Sequence, residues 1–157
     1  MKRIPLYIGI LAALLAAQVE RLDVEKLRPV QVVLVYREDD WVVIQTDTDD
    51  IGVGENAGQA LKNMEDTTAG VIYLDTAEYL LLSRDADDAV EELRDVLKPK
   101  TQLCYAEPEI DIKETGKFLT AHGDLPELKD WKKGQELPVI TTFRKRLTFL
   151  KKVENSA

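Results

Sequence analysis

The apolar positions of the chain fall into three kinds of run. The first is a 14-residue stretch, Ile4 to Ala17, behind the short basic start Met1-Lys2-Arg3, ending abruptly at Gln18-Val19-Glu20-Arg21. It is shorter than the ~20 residues that span a bilayer comfortably, and it suits either the apolar region of an export signal or a buried core helix. Cleavage after Ala16 or Ala17 would put Leu14 or Leu15 at the −3 position, where a small residue is preferred, so the export reading takes the form of either a signal or an uncleaved anchor. The second kind is short and β-branched. Val30–Tyr36 reads as a strand buried on both faces, and Trp41–Thr46 as its return strand across a four-residue turn, Arg37-Glu38-Asp39-Asp40. Val71–Leu74 and Tyr79–Leu82 read as two strands around Asp75–Glu78, Thr101–Ala106 as another, and Val139–Phe143 with Leu147–Leu150 as a hairpin around Arg144-Lys145-Arg146.

The third kind has helical period. Ala57, Ala60, Leu61 and Met64 share one face of a helix over Asn56–Asp66. Ala86, Ala89, Val90, Leu93 and Leu97 do the same behind the acidic capping spacing Asp85/Asp88, in a helix closed by Pro99. Asp111/Glu114 repeats that spacing before a helix ending near His122-Gly123. Between the hairpin and the first of these helices, Asp47–Gly54 reads as a loop with two glycines. The pattern predicts a signal-like or anchor segment over 1–18, a connector over 19–29, one domain over 30–152 and a tail over 153–157. The expected fold is α+β: a mixed sheet with helices mainly on one face, preceded by the apolar N-terminal helix.

A length of 157 residues fits one domain of roughly 100–200 residues, large enough to bury a core without disulfide or metal. The net charge of −8 repels phosphate at long range and argues against nucleic acid as a partner. Charge is also uneven. Asp39–Glu92 holds 15 acids against two bases, whereas Arg144–Ala157 holds five bases (Arg144, Lys145, Arg146, Lys151 and Lys152) and one acid. These five form the candidate interaction patch. The plainer reading is a solvated hairpin tip and tail; otherwise it would face anionic lipid, an acidic partner, the domain's own acidic face, or that of a neighbouring copy in head-to-tail self-association.

Two motifs invite a ligand. Gly52-Val53-Gly54-Glu55-Asn56-Ala57 matches G-x-G-x-x-A, with Asp75 where a ribose-binding acid would stand. Asp47, Asp49 and Asp50 oppose a pyrophosphate there, and the hairpin before them is not a parallel βαβ unit, so permissive glycines are the plainer reading. The same three carboxylates suggest a calcium loop. Ile51 at the fifth position and Gly58 at the twelfth both depart from the EF-hand pattern, which leaves an irregular site or a solvated acidic loop. His122, the only histidine, stands near a helix C-terminus. Cys104 reads as a buried strand residue, although sequence alone leaves a Cys104–His122 nucleophile pair open. Trp41 and Trp131 read as core or rim anchors. No cofactor is implied, and an enzyme is the less favoured class.

The hairpin, then Gly54-Glu55-Asn56-Ala57-Gly58-Gln59-Ala60-Leu61, then a strand pair, helix, strand and helix resemble the N-terminal domain of the spore-germination receptor C-subunit family. The resemblance covers Gly54 to Leu119. This sequence has Gln59 where the family tends to carry an acid, and its one cysteine lies deep in the chain, not after the leader. The resemblance implies an α/β domain on the outer side of the membrane of a spore-forming Gram-positive bacterium, without known catalysis. The expectation is therefore an exported or membrane-tethered binding module, held at the membrane by residues 4–17 and meeting an unknown protein partner. The alternatives are a small ligand-binding protein or enzyme using the Asp47–Gly58 loop with Asp75, and a cytoplasmic domain whose first helix is core.

Overall fold

Residues 27–150 are described in the computed structural model of the chain. The apolar segment 4–17, Lys151, Lys152 and the tail lie outside the described residues. The β-branched runs form most of a seven-stranded sheet, and the helical runs cover it from both sides.

The central strand β2 (Val32–Glu38) turns back through Asp39-Asp40 into β3 (Trp41–Thr46). The turn is two residues long, not four, because Glu38 pairs with Trp41, and Asp39 takes up the left-handed backbone this needs (φ 53°). The supposed loop Asp47–Gly54 contains a strand of its own. β4 (Ile51–Gly54) pairs antiparallel with β3 and forms the sheet's outer strand. β1 (Leu27–Pro29), at the end of the connector, pairs in parallel with β5 (Val71–Tyr73) in a separate two-stranded sheet. The expected strand pair around Asp75 is thus divided. β5 leads through a short 3-10 turn (Leu74–Thr76) to β6 (Tyr79–Leu82), which lies between β2 and β7 (Gln102–Ala106). With β8 (Val139–Phe143) and β9 (Arg146–Leu150) the sheet order is β4-β3-β2-β6-β7-β8-β9, parallel through β2, β6, β7 and β8 and antiparallel at both ends.

Helix α1 (Ala57–Thr67) starts where expected. The Asn56 side chain accepts the Gln59 N–H at 2.9 Å, a cap that contributes about 1 kcal/mol. Its buried face is Ala57, Ala60, Leu61 and Met64, as the period predicts. The second helix is much shorter than its capping spacing suggests. α2 spans only Ala89–Leu93, since Asp85 instead accepts the Ser83 hydroxyl and Asp88 pairs with Arg37. Ala86 and Leu97 remain buried on the turns that flank it. α3 (Ile112–His122) is capped by Asp111, whose carboxylate accepts the Glu114 N–H at 2.9 Å.

α1 and α2 pack with Leu128, Trp131 and Leu137 on one face, against Val33, Val35, Ile44, Leu80, Leu82 and Leu103. α3 packs on the other, against Val32, Leu34, Leu81 and Cys104. Each fully buried large aliphatic side chain of this sandwich stabilises it by about 1.5–3 kcal/mol. Two helices on one face and one on the other bear out the α+β single domain with helices mainly on one side. After α3 the chain changes face by passing beside β7. The Leu103 N–H donates to Pro126 O and the Leu128 N–H to Thr101 O, both at 2.8 Å, before β8 takes over the rest of that edge.

Candidate functional site

The acidic turn after β3 carries Asp47, Asp49 and Asp50. The structure directs its three carboxylates to three different partners. Asp47 Oδ1 accepts the N–H groups of Gln31 and Val32 at 3.0 and 3.2 Å and so fixes the entry to β2. Asp49 pairs with Lys113 on α3 at 2.6 Å. Asp50, buried, accepts Arg28 Nη1 at 2.6 Å and the hydroxyls of Thr48 and Thr68. Among the described residues no group of three potential metal-ligating side chains comes together. The calcium reading therefore gives way to a turn held by its own carboxylates.

Gly52 and Gly54 do not face a ligand either. A Cβ on Gly52 would stand 2.1 Å from the Ala60 carbonyl oxygen, and one on Gly54 would stand 2.4 Å from the Ala60 nitrogen. The glycines let α1 lie directly across β4, a contact no side chain permits. Asp75 belongs to the 3-10 turn after β5, in the path from the small sheet, and accepts the Tyr73 hydroxyl at 3.2 Å. The G-x-G-x-x-A match is thus a helix-packing device, and the dinucleotide reading loses its glycines.

In sheets of this kind ligands usually bind beyond the carboxyl ends of the parallel strands. Here that rim is internally paired at the ends of β2 and β7. Arg37 at the end of β2 bonds Asp88 Oδ2 at 2.5 Å and the Asp85 carbonyl at 3.0 Å. Tyr105 at the end of β7 donates to Asp87 at 2.9 Å, under the Arg84 guanidinium 5.2 Å from the ring centre. Burial, reinforced by the Asp87 carboxylate, pushes the Tyr105 hydroxyl up to about 12, so it remains a donor at neutral pH. Cys104, its neighbour on β7, is fully buried on the opposite face of the sheet, and burial raises its thiol to about 12, the condition of an inert core cysteine. His122 is engaged elsewhere, with Nδ1 2.9 Å from the Phe118 carbonyl oxygen and its ring stacked on Phe118. No hydrogen bond joins it to Cys104 among the described residues.

The β8–β9 hairpin is different. Its turn is Arg144-Lys145, both in the left-handed region (φ 50° and 64°), and Arg146 already pairs with Phe143 in the ladder. Two non-glycine residues there cost about 1 kcal/mol relative to Asn-Gly. Phe143 is 64% exposed, and the Arg144 guanidinium lies 5.5 Å from its ring centre. Arg144, Lys145 and Arg146 are exposed, and among the described residues none has an acidic partner; Arg28, Arg37, Arg94, Lys113 and Lys129 have one, while Lys62, Lys100 and other scattered lysines have none, so the tip stands out as three successive cations in one place. A groove of about 590 Å³ runs past Phe143, Arg144, Arg146, Leu147 and Thr148. The charges were visible in the sequence; Phe143 was read only as the end of a strand. Its neighbours signalled more, since an aromatic directly before three cations at a hairpin tip has nothing apolar to pack on. Of the two tryptophans, Trp131 is core, under the Arg94 guanidinium, and Trp41 is a half-exposed rim residue on β3.

No family model, curated protein or solved structure matches the chain. Among the described residues no helix is long and apolar enough to cross a membrane.

Proposed function

We propose that the protein is a non-catalytic binding module, exported or tethered at the membrane of a spore-forming Gram-positive bacterium, with a task related to germination receptors. The observation that carries this reading is the exposed cationic and aromatic tip of the β8–β9 hairpin, whose cations have no acidic partner among the described residues, on a chain of net charge −8. Exposed cations left without acids in an acid-rich protein are available to a partner. The acidic turn and the strand-end rim, by contrast, are occupied by their own side chains. In this reading residues 4–17 hold the chain at the lipid boundary and the folded domain presents the hairpin to a protein partner.

Fractionation of cells producing the full chain, with mass determination of its N-terminus, tests the location. The chain is expected with the membranes or outside the cytoplasm. Recovery as an intact soluble cytoplasmic protein overturns the tethering and export.

A further inference from the structure

A two-residue turn fixes which backbone groups of a hairpin bond inward. Phe143 and Arg146 flank the turn and form a hydrogen-bonded pair, and so do Thr141/Thr148 and Val139/Leu150 in the same register. The N–H and C=O of Leu147 and Phe149 therefore point away from β8, along the outer edge of the sheet. Among the described residues no strand lies beyond β9. The groove beside it is lined by Arg146 and Thr148 from one face of the strand and Leu147 from the other, which places it along this edge.

We propose that β9 is a docking edge for an extended acidic segment of a partner protein, which adds as an eighth strand. Backbone groups of Leu147 and Phe149 supply the ladder bonds. Exposed Phe143 and Leu150 (57% exposed) offer apolar contacts on one face, and Arg144, Lys145 and Arg146 select for carboxylates. Charge decides the occupant. A second copy added in parallel through its own β9 would set its three cations directly beside these, a like-charge juxtaposition, and an antiparallel copy would bring them no carboxylate, since β9 itself carries none. An acidic strand meets the same cations with opposite sign. The proposal rests on the reading of the domain as a binding module and names the partner's chemistry.

The test uses the full chain in a neutral detergent, with an eight-residue peptide of alternating Val and Glu as probe and its Val/Lys counterpart as control. Amide exchange of individual residues is the readout. The Val/Glu peptide is expected to slow exchange at Leu147 and Phe149, and the Val/Lys peptide is not. R144E/K145E should weaken binding about tenfold or more without unfolding the domain. Phe149→Pro removes one outward donor, together with a ring that packs on Phe118, and should abolish the protection at Leu147; R144E/K145E serves as the second variant if the proline disturbs the hairpin. Equal binding of both peptides overturns the proposal. So does protection confined to other strands, or anionic phosphatidylglycerol vesicles that protect only Phe143–Lys145 while neither peptide binds. A chain found soluble in the cytoplasm that still binds the Val/Glu peptide would remove the tethering reading and leave the docking edge standing.

Discussion

β4 and β9 are the two outer strands of one sheet, and each turns backbone groups away from its single neighbour. At β4 side chains of α1 cover the carboxyl-terminal part of that edge. The outward N–H of Val53 donates to Asn63 Oδ1 at 3.0 Å and, one residue past the strand, that of Glu55 to Gln59 Oε1 at 3.2 Å, both acceptors projecting from α1. At β9 no helix among the described residues lies alongside, and the edge carries three cations instead. Exposed edges are sites of unwanted pairing, which proteins suppress by covering them or by charging them. This domain uses one device at each end. A covered edge admits no strand of any sequence, whereas a charged one rejects cationic strands and remains open to anionic ones.

The largest expected effect is at the covered edge. Gly52→Ala drives a methyl into the Ala60 carbonyl and should destabilise the domain by about 3 kcal/mol or more, read as a lowered urea midpoint. Retention of the parent midpoint would mean that α1 is not seated on β4 as described. At the charged edge the sign reverses. Replacing Arg144-Lys145 by Asn-Gly relieves two left-handed residues and should stabilise the hairpin by about 1 kcal/mol, raising Tm, while removing two of the three cations that choose an acidic partner. Asn63→Ala with Gln59→Ala uncovers β4 without disturbing the core. Lost hydrogen bonds and gained helix propensity nearly cancel, so stability should change by less than about 1 kcal/mol. Self-association should rise instead, and a chain that stays as monomeric as the parent in sedimentation would show that the caps are not what closes this edge. The smallest effect lies at the centre that both edges share. Cys104 and Tyr105 lose protons in the unfolded chain near their ordinary values of 9.0 and 10.0 but hold them in the folded one to about 12. Their contribution is complete below pH 9 and declines as pH rises from 9 to 12. Cys104→Ser, with a hydroxyl that does not titrate in this range, should flatten the first part of that decline in a series of urea midpoints.

The same contrast explains what could be read in advance. Ala57, Ala60, Leu61 and Met64 announced α1 because burial of one helical face leaves a 3.6-residue period whatever the partner. Asp111/Glu114 announced α3 because a cap acts locally. Asp85/Asp88 has the same spacing and failed, since Arg37, 51 residues away in sequence, takes Asp88. The strand in Ile51–Gly54 was hidden by its glycines, which usually weaken a strand and here make room for a helix. The cations of the hairpin were legible as composition. That Leu147 and Phe149 turn their backbone outward was not, because it depends on whether the turn holds two residues or three.

Arg28 joins β1 to the acidic turn: Nη1 reaches Asp50 and Nη2 the Thr48 carbonyl, each at 2.6 Å, while Thr76 exchanges two bonds with Val30. Any pull on the chain ahead of Leu27 meets this clasp, and the β1–β5 pair loaded along its length, before it reaches β2. The small sheet is thus a strain relief, placed so that a load applied ahead of Leu27 is spent before the seven-stranded body is deformed.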